Sequence, residues 1–377
     1  MNFFSLSNLI NNIDISNIDV TYSDTNNIYI SYSLYKYLTQ IKQQINNHID
    51  SWDNYKKNTN PYEYIHTIIP DKKYSISKLK PLSRSFYKII EICNTINILP
   101  DLDKPINSFH LAEGPGGFIE GLIYLHNNKN NKYYGMTLQS TNIDIPGWKK
   151  SRDFLKENTN VFIENGTTND GNLLKQENLK YCYNKYKGSI DIITGDGGFD
   201  FSLDFDNQEQ QSIKLLYAQI CYALSIQKEN GTFILKIFDI FTKGSLDLIY
   251  ILCCFYSDIT IMKPYTSRIA NSEKYLICKN FKVKNYKLIE YLINNFDKFL
   301  ENDKNISGFL NIDHSLYFIN KIEEASAIFG QQQMENINNT INKIINNDSN
   351  SELIKNNIQK CIYWCNKNNI PINNYFE

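Results

Sequence analysis

Residues 108–122, SFHLAEGPGGFIEGL, decide the fold of this chain. The apolar run at 108–112 predicts a buried strand, and the apolar residues from Phe118 onward predict a helix. The glycines between them predict a tight turn, because Gly114, Gly116 and Gly117 permit positive φ angles and close approach to the backbone. A strand joined to a helix by a short turn is the repeating unit of α/β folds. The turn either receives a ligand at the free amides of the helix or only connects the two elements.

Strand and helix patterns alternate in this way from about residue 76 to residue 285. The predicted helices cover 83–95, 117–127, 208–228 and 244–256, and the predicted strands cover 107–112, 132–137, 161–163, 190–195, 231–237, 258–263 and 274–279. Such alternation predicts a mainly parallel sheet with helices on both faces. We expect three regions: an N-terminal extension at 1–75 packed on the core, the α/β domain at 76–285, and a helical C-terminal region at 286–377.

The composition is that of a globular protein with one large domain. The chain has 377 residues, of which 42% are hydrophobic, so it can bury a sizeable core. A formal net charge of −1 argues against a generally basic surface. Any contact with nucleic acid must therefore come from a local cluster of lysine and arginine.

Cysteine spacing and the absence of targeting patterns predict the compartment. The eight cysteines lack paired CxxC spacing, which predicts free thiols in a reducing compartment and no zinc site. No secretory leader and no charge-free run of about 18 apolar residues is visible, so we expect a cytoplasmic protein without a membrane contact, with the nucleus as the alternative. The many Asn, Ile, Lys and Tyr residues have AT-rich codons. A large DNA virus that replicates in the cytoplasm, or a protist, is compatible with them.

Four ionisable residues, Lys88, Asp196, Lys236 and Glu273, lie beside predicted strand ends or in the first predicted helix. Lys236 lies in the apolar segment FILKIF, so it is either a sheltered functional amine or a strand-end lysine that reaches water. Asp196 ends the strand GSIDIITGD. It lies either at the sheet edge where α/β folds bind ligands or in a simple turn. Glu273 directly precedes a predicted strand, where it is placed to neutralise Lys236.

Together these motifs resemble the FtsJ-like family of RNA ribose 2'-O-methyltransferases, whose members carry a Lys-Asp-Lys-Glu tetrad on a Rossmann-like domain. The segments LSRSFYKIIEI, TGDGGF, FILKIFD and ANSEKY supply Lys88, Asp196, Lys236 and Glu273 in that order. The resemblance covers about residues 60–282. NPYEYIH at 60–66 and KPYTSRIANSEKYLICKNFK at 263–282 are most similar to the branch of the family that methylates the first transcribed nucleotide of capped mRNA. The implied fold is that of a class I S-adenosylmethionine-dependent methyltransferase.

The resemblance implies a methyl-donor site around the glycine turn. The turn lacks the GxGxxG spacing of dinucleotide sites, and Glu113 would repel a pyrophosphate but can pair with the ammonium of a methionine, so S-adenosylmethionine fits better than NAD. Asn172 is expected at the adenine edge, where relatives usually have aspartate, with Asp170 as the fallback. The residues expected to line the donor site are Ser83, Ala112, Glu113, Gly114, Pro115, Gly116, Gly117 and Phe118.

The resemblance also implies contacts to capped RNA at Lys56, Asp206, Asn207 and Gln208. In the implied reaction Lys236 accepts the proton of the ribose 2'-hydroxyl or stabilises the alkoxide, and no metal is needed. Other capping enzymes or RNA polymerase are the implied protein partners. Two alternatives stay open: methylation of ribosomal or transfer RNA, and a catalytically idle RNA-binding scaffold that keeps the fold.

Overall fold

The computed structural model describes residues 3–6, 12–25, 27–140, 147–198, 207–283, 285–347 and 351–376. Ten strands occur in these ranges: β1 Phe3–Ser5, β2 Ile18–Ser23, β3 Asn107–Leu111, β4 Lys132–Met136, β5 Val161–Ile163, β6 Ile190–Gly195, β7 Gln227–Ile237, β8 Tyr256–Met262, β9 Lys274–Phe281 and β10 Asn305–Leu310. Eight of them form one sheet in the order β1-β8-β9-β7-β6-β3-β4-β5, and β2 pairs with β10 in a second sheet.

Twelve α-helices lie in the described ranges, together with 3-10 turns at Ile15–Asn17, Ile45–His48 and Glu63–Ile65. The helices are α1 Tyr32–Gln44, α2 Ile49–Asn58, α3 Ser85–Ile96, α4 Gly117–Leu125, α5 Arg152–Glu157, α6 Gln176–Tyr186, α7 Gln208–Ile226, α8 Lys243–Phe255, α9 Tyr286–Asn294, α10 Phe296–Leu300, α11 Leu316–Ile345 and α12 Ser351–Lys367. No described helix is both long enough and apolar enough to cross a membrane.

The predicted mainly parallel sheet is confirmed. The strands β5, β4, β3, β6 and β7 pair in parallel with one another, whereas β9 runs antiparallel to both β7 and β8. Adjacent residues of β7 face opposite sides of the sheet, as the period of a strand requires. Phe233 and Leu235 pack in the cluster that includes α7 and α8, and Ile234 packs in the cluster that includes α3 and α4. Lys236, two residues beyond Ile234, therefore belongs to the α3 face.

The two ends of the chain pack together beside the sheet. β1 pairs with β8 at the edge of the large sheet, and β2 pairs with β10. Ile45 and Trp52 from the N-terminal extension share a buried cluster with Ile337 and Ile341 of α11. The C-terminal region is mainly helical, as predicted, but it also contains β10. This strand was not predicted, because it is short and lies among Asn-rich segments. The boundaries at 75 and 285 stay predictions.

Candidate active site

Three of the four predicted catalytic residues lie at one edge of the sheet because of the directions of their strands. Asp196 directly follows β6, and Lys236 is the next-to-last residue of β7, which runs parallel to β6. Glu273 directly precedes β9, which runs antiparallel to β7. The carboxyl ends of two strands and the amino end of a third therefore meet. Lys88 reaches the same place from the first turn of α3.

The four side chains form two ion pairs. Lys88 Nζ lies 2.6 Å from Glu273 Oε1, and these side chains are only 6% and 11% exposed. Lys236 Nζ donates to the backbone oxygen of Asp196 at 2.7 Å and lies 3.3 Å from Asp196 Oδ1. We expected Glu273 to neutralise Lys236, but its direct partner is Lys88, because α3 packs across the end of β9. Lys236 instead takes its charge partner from the neighbouring parallel strand.

Tyr275 connects the two ion pairs. Its hydroxyl donates to Asp196 Oδ1 at 2.8 Å and lies 3.4 Å from both Glu273 Oε1 and Lys88 Nζ. Tyr275 was not among the residues predicted from the sequence. The available signal was the period of two in a strand, which places Tyr275 on the same face of the sheet as Glu273. In the register of β7 and β9, Tyr275 is the direct neighbour of Lys236. The hydroxyl bridge links the two ion pairs into one network.

The charges of this network are fixed by burial and by the partner groups. Burial by itself raises the pKa of the Glu273 carboxyl, but the ammonium groups of Lys88 and Lys236 outweigh it and hold that pKa well below its usual range. Burial, together with the charges of Asp196 and Glu273, raises the pKa of Tyr275 far above its usual range. The Tyr275 hydroxyl therefore keeps its proton and serves as a donor to Asp196.

The glycine turn lies next to this network. A Cβ atom built on Gly197 would lie 3.1 Å from the Ala112 side chain, and one built on Gly198 would lie 3.0 Å from Lys236 Nζ. Phe118, at the start of α4, packs against Tyr275 with ring centroids 6.0 Å apart. A ligand held at the turn would therefore lie beside Lys236.

The two segments that carried the resemblance to cap-specific enzymes contact each other. Arg268, from SRIANSE, donates to both carboxylate oxygens of Glu63, from NPYEYIH, at 3.0 and 2.6 Å. Glu63 is 1% exposed. The pair anchors the loop between β8 and β9, which ends at Glu273, to the segment that precedes α3.

The sequence profile of FtsJ-like methyltransferases matches residues 81–281, which is more than half of the chain. The chain belongs to the FtsJ-like methyltransferase family. The matched range, residues 81–281, contains all four residues of the two ion pairs, the glycine turn and Tyr275.

Individual relatives of this FtsJ-like chain carry a more specific name. Cap-specific mRNA (nucleoside-2'-O-)-methyltransferase 2 of Drosophila melanogaster is 31% identical over 57% of the chain and 33% of its own length. Cap-specific mRNA (nucleoside-2'-O-)-methyltransferase 1 of Mus musculus is 36% identical over 48% of the chain and 22% of its own length. The type 2 enzyme of Danio rerio is 29% identical over 68% of the chain and 36% of its own length. The matches thus span about a third or less of these relatives.

The predicted donor-site residues of the FtsJ-like domain fall into two places. Ser83 lies against the turn, since a Cβ atom on Gly117 would meet the Ser83 and Ser85 hydroxyl oxygens at 2.2 Å. Gly114 approaches the backbone of Gly147, so its lack of a side chain is required by the protein's own packing. Gly116 has a φ of +111°. The residues brought together around the turn are Ser83, Ala112, Glu113, Gly114, Pro115, Gly116, Gly117 and Phe118.

Glu113 makes a contact that the sequence did not predict. Its Oε1 accepts from the backbone amides of Phe118 and Ile119 at 2.8 and 3.1 Å, so the side chain caps the start of α4. Burial raises the pKa of this carboxyl to about 8, even though the amides oppose the shift. Pairing with a methionine ammonium stays a prediction.

The loop after β5 holds the predicted adenine contact. Asn172 Oδ1 accepts from the amide of Leu174 at 2.9 Å, within its own loop. The fallback residue, Asp170, is bound by Lys175, Thr168 and Asn178. The amide of Gln139, just after β4, donates to the Asp170 backbone oxygen at 2.7 Å. Both candidates thus lie in the loop after β5. The Gln139 contact holds this loop at the end of β4, the strand next to β3, so it lies at the same edge of the sheet as the glycine turn.

The predicted RNA contacts that the structure describes lie in two helical regions. Lys56 lies near the end of α2 and is paired with Asp53. Asn207 directly precedes α7. Gln208 Oε1 accepts from the hydroxyl of Ser272 at 2.7 Å. Ser272 directly precedes Glu273, so the start of α7 contacts the loop between β8 and β9. Asp206 lies outside the described residues. No group of three or more described His, Cys, Asp or Glu residues could hold a metal ion.

Acid should weaken the clamp between Glu63 and Arg268. Burial raises the pKa of Glu63, but the Arg268 guanidinium outweighs it and lowers that pKa from 4.5 to about 2. A lowered pKa contributes stability that is complete above the unfolded value and is lost as the pH falls toward the folded value. We therefore expect wild type to lose roughly 2 kcal/mol more of its unfolding free energy between about pH 7 and about pH 3 than Glu63→Gln does.

Urea unfolding at several pH values measures this difference. Glu324→Gln is the control, because Glu324 lies on the surface of α11 in an exposed pair with Lys321. Its pH dependence should match that of wild type. Equal pH dependence of Glu63→Gln and wild type would contradict the clamp.

Proposed function

We propose that this protein transfers a methyl group from S-adenosylmethionine to the ribose 2'-hydroxyl of capped mRNA, at the first transcribed nucleotide. The observation that carries the proposal is the network around Tyr275, in which Lys88, Asp196, Lys236 and Glu273 meet beside the glycine turn. Two ammonium groups and two carboxylates at one sheet edge provide proton transfer and charge stabilisation without a metal. The names of the relatives support capped mRNA as the substrate.

The residues around the turn fit the methyl donor. S-adenosylmethionine supplies a methyl group on a positively charged sulfur. Gly116 has a positive φ, and a Cβ atom there would contact Leu82 and Trp148 at 3.4 Å, so this position of the turn favours a residue without a side chain. Burial raises the pKa of the Glu113 carboxyl, and a methionine ammonium beside it would lower that pKa again, so the two groups could form an ion pair. Asn172 or Asp170 would contact the adenine from the loop after β5.

Lys236 is the group that we place at the reacting hydroxyl. Among the described residues, Asp196 accepts a hydrogen bond from Lys236 Nζ through its backbone oxygen at 2.7 Å and forms an ion pair with it through Oδ1 at 3.3 Å. Asp196 therefore orients Nζ, and an ammonium has three N–H donors, so it can serve a second acceptor. The ribose oxygen forms its bond to the methyl carbon as the carbon–sulfur bond breaks. As a neutral amine Lys236 would take the hydroxyl proton, and as an ammonium it would hold the negative charge that develops on the ribose oxygen, while Lys88 and Glu273 stay paired.

Substrate selection would use the surface on the α2 and α7 side of the tetrad. Gln208 contacts the loop of Glu273, so a strand of RNA that lies across the start of α7 would reach Lys236. Lys56 would meet a phosphate, in place of its present partner Asp53. We further propose that the protein acts in the cytoplasm and works with other capping enzymes or RNA polymerase.

The donor-site assignment predicts that Gly116→Val weakens binding of S-adenosylmethionine by about tenfold or more, because a branched side chain at a strained φ would press on Leu82 and Trp148 and displace the turn. Gly188→Val is the matched control. Gly188 also has a positive φ, but nothing lies within 4 Å of the position of its Cβ atom. Calorimetry on folded protein should show normal affinity for Gly188→Val. Unchanged donor affinity in Gly116→Val would remove the turn from the donor site.

The substrate assignment predicts faster methylation of capped RNA than of the same RNA with a 5'-triphosphate. Lys56→Ala should weaken RNA binding more than donor binding, because a lysine at a phosphate acts electrostatically. Lys104→Ala is the control: Lys104 also pairs with an aspartate three residues away, Asp101, but it precedes β3 at the opposite edge of the sheet. Equal rates on both RNAs would favour ribosomal or transfer RNA as the substrate. Donor binding without transfer to any RNA would favour an idle scaffold.

A further inference from the structure

Glu91 is a buried carboxylate that the proposed mechanism does not use. It lies on α3, one turn after Lys88, and is 3% exposed. Its Oε1 accepts from the backbone amide of Tyr265 at 2.6 Å. Its Oε2 accepts from the amide and the hydroxyl of Thr266, at 3.1 and 2.9 Å, and from Trp364 Nε1 at 3.1 Å. One carboxylate thus collects four donors.

These donors belong to parts of the chain that also hold the tetrad. Tyr265 and Thr266 lie in the loop between β8 and β9, and the next residue, Ser267, donates to Glu273 Oε1 at 2.7 Å. Glu273 in turn pairs with Lys88. A closed circuit of contacts therefore runs from Lys88 along α3 to Glu91, across to the loop, and through Glu273 back to Lys88. Trp364 adds the C-terminal helix α12 to this circuit.

We propose that Glu91 is a positioning residue for methyl transfer, which holds Lys88 and Glu273 at their pairing distance, and that Trp364 makes α12 part of this support. The proposal rests on the proposed function. Among the described contacts, Glu91 has no hydrogen bond to Lys88, Asp196, Lys236 or Glu273, so it acts on the tetrad only through the backbone of α3 and of the loop.

A buried carboxylate such as that of Glu91 is suited to holding other groups in position. Burial raises the pKa of the Glu91 carboxyl, and the four donors oppose the shift. Because a buried carboxylate is costly unless its donors are all in place, the position of each donor is tightly defined. Catalytic groups need a placement within about 0.5 Å, which such a second layer of hydrogen bonds provides.

The test is a double-mutant cycle with Lys88. In Glu91→Gln the amide cannot accept from both Tyr265 and Thr266, so the single-turnover rate at saturating donor and RNA should fall by about 10-fold to 100-fold, since misplacement of about 1 Å can cost that much. Donor affinity should stay within about twofold. In the Lys88→Ala background the same substitution should change the rate by less than about twofold, because the residue through which it acts is gone.

Asp247→Asn is the control for a loss of stability alone. Asp247 is fully buried on α8, which packs on the sheet face opposite α3, and it also accepts from two successive backbone amides, those of Phe309 and Leu310. Rates are normalised to the number of donor sites found by calorimetry, so that unfolded protein does not count. The normalised rate of Asp247→Asn should equal that of wild type.

Two further variants test the inference without removing the carboxylate. Thr266→Val and Trp364→Phe each delete one donor, and each should lower the normalised rate by about threefold to tenfold in wild type but not in Lys88→Ala. Equal losses in both backgrounds would overturn the positioning role. A normal rate for Trp364→Phe would remove α12 from it. If wild type methylated no RNA, the proposed function would be wrong. If wild type were active but Glu91→Gln lowered the rate by the same factor with and without Lys88, only the positioning role of Glu91 would be wrong.

Discussion

Lys236→Ala should fold and bind the methyl donor, yet lose methyl transfer by about 100-fold to 10,000-fold, which is the range that positioned proton-transfer groups contribute. The amine is 12% exposed and is oriented by Asp196 through two oxygen atoms. No described side chain next to it supplies a second amine to the ribose oxygen, because Lys88 is engaged by Glu273. Single-turnover methylation at saturating donor and RNA measures the loss.

Two companion variants sharpen this prediction. Lys236→Arg should fail almost as badly, since a guanidinium does not release its proton in proteins and its planar fork cannot replace a compact ammonium. Lys228→Ala is the control on the same strand. Lys228 lies at the other end of β7, 55% exposed and paired with Asp191, so its loss should leave the rate unchanged. A rate within about threefold of wild type for Lys236→Ala or Lys236→Arg would remove Lys236 from the chemistry.

Glu273→Gln should damage both stability and activity. It leaves the ammonium of Lys88 buried without its anionic partner, and breaking a buried pair from one side costs about 3 to 5 kcal/mol. It also removes the negative charge beside Tyr275 and leaves only a weaker amide oxygen to accept from Ser267, so the network that orients Asp196 loosens. We expect a lower midpoint in urea unfolding and a loss of transfer that is larger than the loss of donor binding.

The double variant Lys88→Met with Glu273→Gln separates the two effects. Without the buried charge, most of the lost unfolding free energy should return, while methyl transfer should stay low because the tetrad is incomplete. Asp101→Asn is the control, since it breaks an exposed pair with Lys104 and should leave the urea midpoint nearly unchanged. Wild-type stability of Glu273→Gln would contradict the buried pair, and wild-type turnover would contradict its role.

The sequence predicted the central sheet well because its strands are apolar and its turns carry glycine. FILKIF and GSIDIITGD lie in β7 and β6, and their ends meet as parallel strands must. The helices α5 and α6 were missed because polar residues dominate them. In α6 the spacing of the buried residues Leu179, Cys182 and Tyr186 was the available signal.

The pairing of charges in the site was harder to predict than the residues themselves. Sequence order says that Glu273 precedes β9, but the packing of α3 across the sheet decides that its partner is Lys88. The same packing brings Glu91 of α3 to Tyr265 in the loop between β8 and β9 and to Trp364 of α12. These three segments are far apart in the chain. Such contacts depend on helix orientation, which periodicity does not specify.

The most direct measurement is to locate the methyl group on the product. Capped RNA is incubated with the protein and with S-adenosylmethionine that carries a labelled methyl group, and the RNA is then digested and analysed by mass spectrometry. We expect a single labelled methyl group on the ribose 2'-oxygen of the first transcribed nucleotide, and labelling that is at least about 100-fold slower with Lys236→Ala. Label on a base, on the cap guanine or at internal nucleotides would contradict it.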